Sequence, residues 1–215
     1  MLQNETEFNS GKNEKMEFSF YAMLDRMQYI NRWGLMRNNR MENLKEHSMD
    51  VAIVAHALAA IRNCICLGDR QKVDPLYVMG VAILHDASEI ITGDLPTPIK
   101  YRNPEITQAY KKVEGQATDT LLSLLPEAMR AEYRELFCPD RSDPIKDEAY
   151  HLVKAADRIC AYSKCITEEN SGNHEFSSAK MTILASIEKL DYPEVAYFME
   201  HFMPAYGMTL DEISK

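Results

Sequence analysis

The sequence predicts an all-α protein built as a single helical bundle. Three observations support this prediction. Glycine and proline are scarce, at 8 and 9 of 215 residues; apolar residues recur at intervals of three and four; and the sequence contains no convincing run of alternating β-branched residues. A chain of this length is typical of one domain. We therefore divide it into a polar lead, residues 1–16, and one folded domain, residues 17–215.

Local start and stop signals define the predicted helices. Asn43 and Glu46 form a capping-box-like pair that begins one helix. Asp74-Pro75 begins the next, which we expect to continue without a break to Thr92-Gly93. The segment Asp94–Pro98 contains two prolines and is expected to be an ordered loop. The other predicted helices are Glu17–Tyr29, Pro104–Leu125, Pro126–Phe137, Ile145–Glu169, Glu175–Leu190 and Pro193–Phe202.

Charge and hydropathy exclude several classes of protein. The net charge is −9, and no run of Lys and Arg is present, so we expect neither a nucleic-acid polymer nor an anionic membrane as partner. The first fifteen residues are polar, unlike a signal peptide, and the longest apolar stretch, Val51–Ile61, is too short to span a bilayer. The odd number of cysteines, five, predicts reduced thiols. We expect a cytoplasmic protein.

The strongest chemical signal is the dipeptide His85-Asp86, which follows an apolar run in the helix predicted from Asp74-Pro75. His85 continues the stripe of Val78 and Val81, and Glu89 follows four residues after His85. The three titratable side chains therefore project from adjoining edges of one predicted helix beside an apolar wall. Burying them there is costly unless something pairs with them, and a divalent cation would do so.

Two further ligands are expected from other helices. His47 lies on the apolar stripe of the helix that begins at Asn43, and Asp157 lies among apolar neighbours within Ile145–Glu169. Together with His85 and Asp86 they provide two imidazoles and two carboxylates, a set suited to Mn²⁺ or Co²⁺. Four protein ligands on an octahedral ion leave two positions for water and a substrate oxygen, an arrangement that supports hydrolysis.

The segment Asn31-Arg32-Trp33-Gly34 precedes the His47 helix and contains the only tryptophan in the chain. A guanidinium fork suits phosphate oxygens, and an adjacent indole can stack on or border a sugar and base. On the alternative interpretation Trp33 is a core aromatic residue at the helix junction, and Arg32 is simply exposed.

Several segments together resemble one branch of the HD-domain phosphohydrolases, the bacterial HD-domain 5′-deoxynucleotidases. The order His47, His85-Asp86, Asp157 on separate helices resembles the wider superfamily. The resemblance to the narrower branch covers nearly all of the chain from about Phe18 onward. It is carried by residues 30–38, 42–48, 84–98, 154–157, 161–162, 172–176 and 210–214.

The resemblance implies a role for each matching residue. It implies that His47, His85, Asp86 and Asp157 bind the metal and that Glu89 assists the attacking water or protonates the leaving oxygen. It further implies that Arg32 orients the phosphate, that the family uses divalent transition metals and that it forms homodimers. A substrate pocket shared with the metal ligands Asp86 and Asp157 is expected to be lined by Trp33, Asp94, Leu95, Pro96 and Thr97.

We therefore expect hydrolysis of 2′-deoxyribonucleoside 5′-monophosphates to deoxyribonucleoside and phosphate. Steric closeness around Trp33 and Asp94 is expected to exclude the 2′-hydroxyl. Two alternatives stay open: another HD chemistry, on a nucleoside triphosphate or a cyclic nucleotide, and a non-catalytic helical interaction module in which the metal is structural.

Overall fold

Helices form almost all the regular structure in the computed structural model, which describes residues 18–100 and 102–214 except for the side chain of Thr97. The polar lead predicted at residues 1–16 lies outside the described residues. Within them an isolated bridge joins Asn31 to Asn43, and no strand is present. The α-helices are α1 (Phe20–Asp25), α2 (Leu44–Cys64), α3 (Pro75–Leu84), α4 (Glu89–Thr92), α5 (Thr97–Lys100), α6 (Pro104–Ser123), α7 (Glu127–Phe137), α8 (Pro144–Asn170), α9 (Ser177–Glu188), α10 (Pro193–His201) and α11 (Leu210–Ile213).

The all-α prediction is confirmed, and the long helices begin where the sequence signals place them. The side chains of Asn43, Asp74, Asn103 and Asp143 each accept hydrogen bonds from backbone amides in the first turn of α2, α3, α6 and α8. In three of these helices proline is the first helical residue, where its missing N–H costs nothing. These caps act locally, which is why the sequence alone locates them.

The main core surrounds α2, which packs against α3, α8 and α10. Residues such as Val51, Leu58, Leu152 and Ile159 are fully buried there. A second cluster joins α1 to the end of α6, and a third packs Met27, Leu44, Leu84 and Ala87 together. The α2 and α8 helices carry two of the predicted site segments, so this core fixes their separation. No helix in the described part of the chain combines the length and hydropathy needed to cross a membrane.

The prediction of one continuous helix from Asp74-Pro75 to Thr92-Gly93 is wrong for the second half of that range. The α3 helix ends at Leu84, residues 85–88 form turns, and α4 begins at Glu89. The carbonyl of Ala82, which a continuing α-helix would offer to the amide of Asp86, accepts instead from the backbone N–H of His85 at 3.4 Å and contacts its Nδ1 at 2.7 Å. The imidazole thus competes for the carbonyl that the next helical turn would use.

Three smaller differences concern the predicted bounds of elements. The first helix gives way to a 3₁₀ turn, Arg26–Tyr29, and its predicted start at Glu17 lies outside the described residues. The loop predicted at Asp94–Pro98 is only partly a loop, because α5 begins at Thr97 and accommodates Pro98 in its first turn, where no amide donor is needed. The first predicted turn of the Glu175–Leu190 helix is a 3₁₀ turn, His174–Phe176.

Candidate active site

Four predicted ligands from three parts of the chain lie together. His47 is in the first turns of α2, His85 and Asp86 directly follow α3, and Asp157 is in the middle of α8. One nitrogen or oxygen atom from each residue can be chosen so that all four lie within 4.8 Å of one another. This spacing brings two imidazoles and two carboxylates to one point of the bundle.

The Nε2 atoms of the two histidines are placed to bind a metal and form no hydrogen bond with each other or with the nearby carboxylates. Nε2 of His85 lies 3.0 Å from Oδ2 of Asp86, and Nε2 of His47 lies 3.2 Å from Oδ1 of Asp157. Both Nε2 atoms are buried and make no hydrogen bond of acceptable geometry to any described residue. Buried polar atoms are normally partnered, so these unpartnered nitrogens beside carboxylate oxygens suit a shared cation.

The ring of His85 is oriented by the backbone of its own helix. Its Nδ1 lies 2.7 Å from the carbonyl of Ala82, a contact in which Nδ1–H donates. This contact favours the tautomer that leaves Nε2 free of hydrogen and able to bind a cation. The contact with the carbonyl of Ala82 therefore both ends α3 and orients His85, the predicted ligand.

The two carboxylates of the cluster are half-buried and are held in the ionised form. Burial opposes the charged form of Asp86, but the adjacent His85 lowers the pKa of Asp86 well below its usual range. Burial opposes ionisation of Asp157 as well, and the nearby His47 lowers its pKa below the usual range. An ionised carboxylate is the form in which an aspartate binds a metal.

Glu89 lies at the start of α4 and behaves differently from the ligand carboxylates. It is buried, and its Oε2 makes no hydrogen bond to a described residue. Burial, reinforced by the negative charges of Asp86 and Asp94, raises the pKa of Glu89 to about 9. The site therefore favours a carboxyl that keeps its proton at neutral pH, which is the form that can donate a hydrogen bond.

Arg32 lies between the cluster and the carboxylate of Glu42. Its Nη1 donates to Oδ2 of Asp86 at 3.4 Å, and its Nε donates to Oε2 of Glu42 at 3.1 Å. Burial opposes the charged form, but Asp157, Asp86, Glu42 and Asp94 raise the pKa of Arg32 above its usual value. The guanidinium is therefore a fixed positive charge beside the predicted ligands.

A cleft of about 830 Å³ opens next to the cluster. Asp157, whose side chain is 29% exposed, belongs both to the cluster and to the lining of this cleft. Arg32, Trp33, Asp94 and Pro96 also line it. The cleft thus joins the candidate metal centre to the residues predicted to contact substrate.

Leu95 is not among the residues that line the cleft. Leu95 is half-buried and is not part of the cleft lining, whereas Asp94 and Pro96 on either side of it are. The side chain of Thr97 lies outside what the structure describes.

The structure adds residues to which the sequence analysis assigned no role. Glu42 accepts hydrogen bonds from both Arg32 and Trp33. Lys154 lies one helical turn before Asp157, and although burial opposes its charge, Asp157 and Asp86 raise the pKa of Lys154. The opposite wall of the cleft comes from α9, including Ser178, Ala179, Thr182 and Ile183. Glu42 and Lys154 both lie in segments that carry the family resemblance. That resemblance was the one feature of the sequence that could have pointed to them.

Solved structures of other proteins share this fold. An HD-domain phosphohydrolase from Listeria innocua matches with a TM-score of 0.73 at 22% identity, covering 87% of this chain and 88% of that one. The HD phosphohydrolase DatZ of cyanophage S-2L, solved with dA and one catalytic Zn²⁺ ion, matches with a TM-score of 0.60 at 22% identity, covering 85% and 95%. The fold is that of the HD-domain phosphohydrolases.

Sequence comparison narrows the class to one family. The family described as 5′-deoxynucleotidase YfbR-like matches residues 19–206. A 5′-deoxynucleotidase of Vibrio cholerae is 47% identical over 198 residues, covering 92% of this chain and 99% of that protein. The 5′-deoxynucleotidase YfbR of Escherichia coli is 47% identical over 197 residues, covering 91% and 96%. The chain belongs to the YfbR-like 5′-deoxynucleotidase family, whose members are phosphoric monoester hydrolases.

Proposed function

We propose that this chain hydrolyses 2′-deoxyribonucleoside 5′-monophosphates to deoxyribonucleoside and phosphate, with a divalent cation held by His47, His85, Asp86 and Asp157. The observation that carries the proposal is the convergence of these four residues, with unpartnered imidazole nitrogens, at the edge of a cleft. Family membership supports the choice of a 5′-monophosphate of a deoxyribonucleoside as substrate.

The donor set supports Co²⁺ or Mn²⁺ as the cation. Two imidazoles and two carboxylates, without a thiolate, suit borderline or hard divalent metals. When bound, such a cation stabilises negative charge on phosphoryl oxygens and makes a water molecule more acidic.

Arg32 binds and orients the phosphate in this proposal. Its guanidinium lines the cleft and is fixed by Glu42 and Asp86, so it can present remaining N–H groups to phosphate oxygens with little loss of conformational freedom. The net charge of the chain is −9, and this local positive charge works against the overall field. Asp86 and Asp157 border the same position and are assigned to it as substrate contacts.

Glu89 moves the proton in this proposal. Its carboxyl is buried, unpartnered at Oε2 and held in an environment that favours protonation. As a water oxygen forms its bond to phosphorus and the bond from phosphorus to the 5′-oxygen breaks, the protonated carboxyl can give its proton to the leaving 5′-oxygen, and the carboxylate that remains can take up the proton that the attacking water releases.

Trp33 and Asp94 limit the sugar that the cleft accepts, and Pro96 extends the same wall. The indole is held at its Nε1–H by Glu42 and at its ring edge by Phe176, at a centroid distance of 5.3 Å. A rigid wall excludes a 2′-hydroxyl by crowding it and leaving its hydrogen bonds unmade. We keep Leu95 and Thr97 in the substrate-binding segment as neighbours of these residues.

The proposal is tested by phosphate release from matched ribo- and deoxyribonucleoside 5′-monophosphates. The chelated protein receives one metal at a time, with Co²⁺ and Mn²⁺ expected to restore the highest activity. Nucleoside triphosphates and cyclic nucleotides are assayed in parallel, with pyrophosphate as a second readout. Faster turnover of either class than of deoxyribonucleoside monophosphates would replace the proposed substrate. Unfolding on chelation, without any turnover, would favour a structural metal.

A homodimer in the cytoplasm completes the proposal. Exposed apolar side chains that a second copy would cover support self-association; these include Met49 and Ile53 on α2 and Tyr206 and Met208 beyond α10. Light scattering coupled to size-exclusion chromatography tests the dimer, and fractionation of cells expressing a tagged chain tests the location. A mass near 24.7 kDa across micromolar concentrations would contradict the dimer.

A further inference from the structure

One carboxylate oxygen holds both residues that face the phosphate and the sugar. Oε2 of Glu42 accepts a hydrogen bond from Nε of Arg32 at 3.1 Å and another from Nε1 of Trp33 at 3.1 Å. A backbone hydrogen bond also joins Arg32 to Glu42, because the N–H of Arg32 donates to the carbonyl of Glu42 at 2.9 Å. The segment before Gly34 and the segment before α2 are therefore joined through Glu42.

Trp33 depends on such contacts for its position. Its φ is +59°, in the left-handed region that residues other than glycine rarely adopt. A bulky aromatic residue stays there only when its surroundings over-determine the conformation. The hydrogen bond to Glu42 and the edge contact with Phe176 are the interactions that fix the indole.

Glu42 itself is not part of the substrate cleft. It lines a separate cavity of about 210 Å³, together with Glu46 and Asp50. Its side chain is 13% exposed. Any effect of Glu42 on the reaction must therefore pass through the two side chains that it holds.

We propose that Glu42 is a positioning residue that sets the preference for deoxyribose over ribose, an inference that rests on the proposed function. By accepting from Trp33 it holds the indole as a rigid wall beside the sugar. By accepting from Arg32 it fixes the phosphate, so the sugar cannot shift to relieve a clash with that wall. Without Glu42 the indole can turn and the phosphate can move, and a ribonucleotide then fits.

The test compares two substitutions at Glu42 with one at a matched position. Glu42→Leu removes both hydrogen bonds, whereas Glu42→Gln keeps an oxygen that can accept both but removes the charge. Glu46→Gln is the control, because Glu46 lines the same cavity and makes no side-chain hydrogen bond to Arg32 or Trp33. Each variant is assayed for kcat and KM on 2′-deoxyadenosine 5′-monophosphate and on adenosine 5′-monophosphate.

We expect Glu42→Leu to lower the ratio of deoxyribonucleotide to ribonucleotide kcat/KM by about tenfold or more, the loss expected for a hydrogen bond to a charged group. Glu42→Gln, which weakens both hydrogen bonds by removing the charge of their acceptor, is expected to lower the ratio by between about threefold and tenfold, with Glu46→Gln at the wild-type ratio. Bound metal per chain is expected to be unchanged in all three, because the four proposed ligands remain.

A merely structural role would lower kcat/KM for both substrates equally and leave the ratio unchanged, which would overturn the inference. If Glu42→Leu does not fold, Glu42→Gln decides: a ratio within threefold of wild type overturns the inference, and a larger fall supports it. Dissociation constants of the two nucleotides, measured by calorimetry on the chelated protein, report the discrimination between the two sugars in binding alone and need no turnover. Absence of turnover in the wild type would therefore refute the proposed function without deciding the role of Glu42.

Discussion

Glu168 offers a sharp test of what holds the loop between Trp33 and Glu42 in place. Its carboxylate, on the last turn of α8, is fully buried. It accepts from the backbone N–H groups of Asn39 and Arg40 at 2.9 and 3.1 Å, from Nδ2 of Asn173 at 2.7 Å and from the ammonium of Lys164. Residues 39 and 40 lie in the loop between Trp33 and Glu42, so Glu168 anchors this loop to α8.

The contribution of this carboxylate follows from its pKa. Burial alone would raise it, but the hydrogen bonds from Lys164, Asn39, Asn173 and Arg40 outweigh burial and lower the pKa of Glu168 from 4.5 to about 2. At 1.36 kcal/mol per pKa unit, the ionised form stabilises the fold by about 3 kcal/mol at neutral pH. Glu168→Gln removes the charge and leaves the buried ammonium of Lys164 without its counter-ion, a loss of the same order.

The assay is urea unfolding of Glu168→Gln and wild type at pH 7 and pH 3. Because the folded-state pKa is depressed, the stabilisation is complete above about 4.5 and disappears as the pH falls through about 2. We expect Glu168→Gln to be about 3 kcal/mol less stable at pH 7, and less than half that difference at pH 3. In thermal unfolding the neutral-pH loss corresponds to about 10 °C in Tm.

The adjacent residue provides the control. Glu169 pairs with Lys180 at 2.6 Å in a partly exposed ion pair, so Glu169→Gln is expected to cost less than about 1 kcal/mol. The reasoning about Glu168 would be refuted by a Glu168→Gln variant within 1 kcal/mol of wild type at pH 7. It would be refuted equally by a difference that is the same at pH 3 as at pH 7.

The remaining predictions concern the active site. Asp86→Ala should abolish metal binding and turnover together, measured by elemental analysis and phosphate release; turnover that survives in metal-stripped protein would count against the site. Arg32→Ala should lower kcat/KM on monophosphates by about a hundredfold while bound metal stays, and unchanged kinetics would remove its phosphate role. Glu89→Gln should lower kcat by about 10²–10⁴-fold with metal content intact; a wild-type rate would exclude Glu89 from proton transfer. Chelation should stop turnover yet preserve the helical circular dichroism, because apolar side chains such as Val51, Leu58, Leu152 and Ile159 pack the helices of the main core together without a cation.

Some features were predictable because the interactions that create them are local. Asn43, Asp74 and Asn103 cap helices through contacts with amides two or three residues away, and the sequence records such contacts directly. The end of α3 was not predictable in this way, because no glycine or proline interrupts residues 81–92. A histidine ring that competes for the carbonyl of Ala82 leaves no pattern in hydropathy.

Whether the role of a side chain could be predicted depends on the same distinction between local and distant interactions. His47, His85, Asp86 and Asp157 could be singled out in the sequence because charged or ligating groups on apolar stripes need a partner. Glu42 and Lys154 gave no such signal, since a charged residue outside an apolar stripe is ordinarily solvated. Their importance comes from neighbours that are distant in the chain or buried by the fold, such as Trp33 for Glu42 and Asp86 for Lys154.

The sequence by itself determined that the chain is helical, where its long helices begin and which residue types could bind a cation. Only the tertiary structure decided that four of those residues lie within 4.8 Å, that Leu95 is left out of the cleft lining and that one oxygen of Glu42 holds both Arg32 and Trp33. Helix caps and amphipathic stripes depend on residues a few positions apart. The convergence of the four predicted metal ligands depends on how the core packs α2, α3 and α8 against one another. That packing is made by contacts between residues that are distant in the sequence.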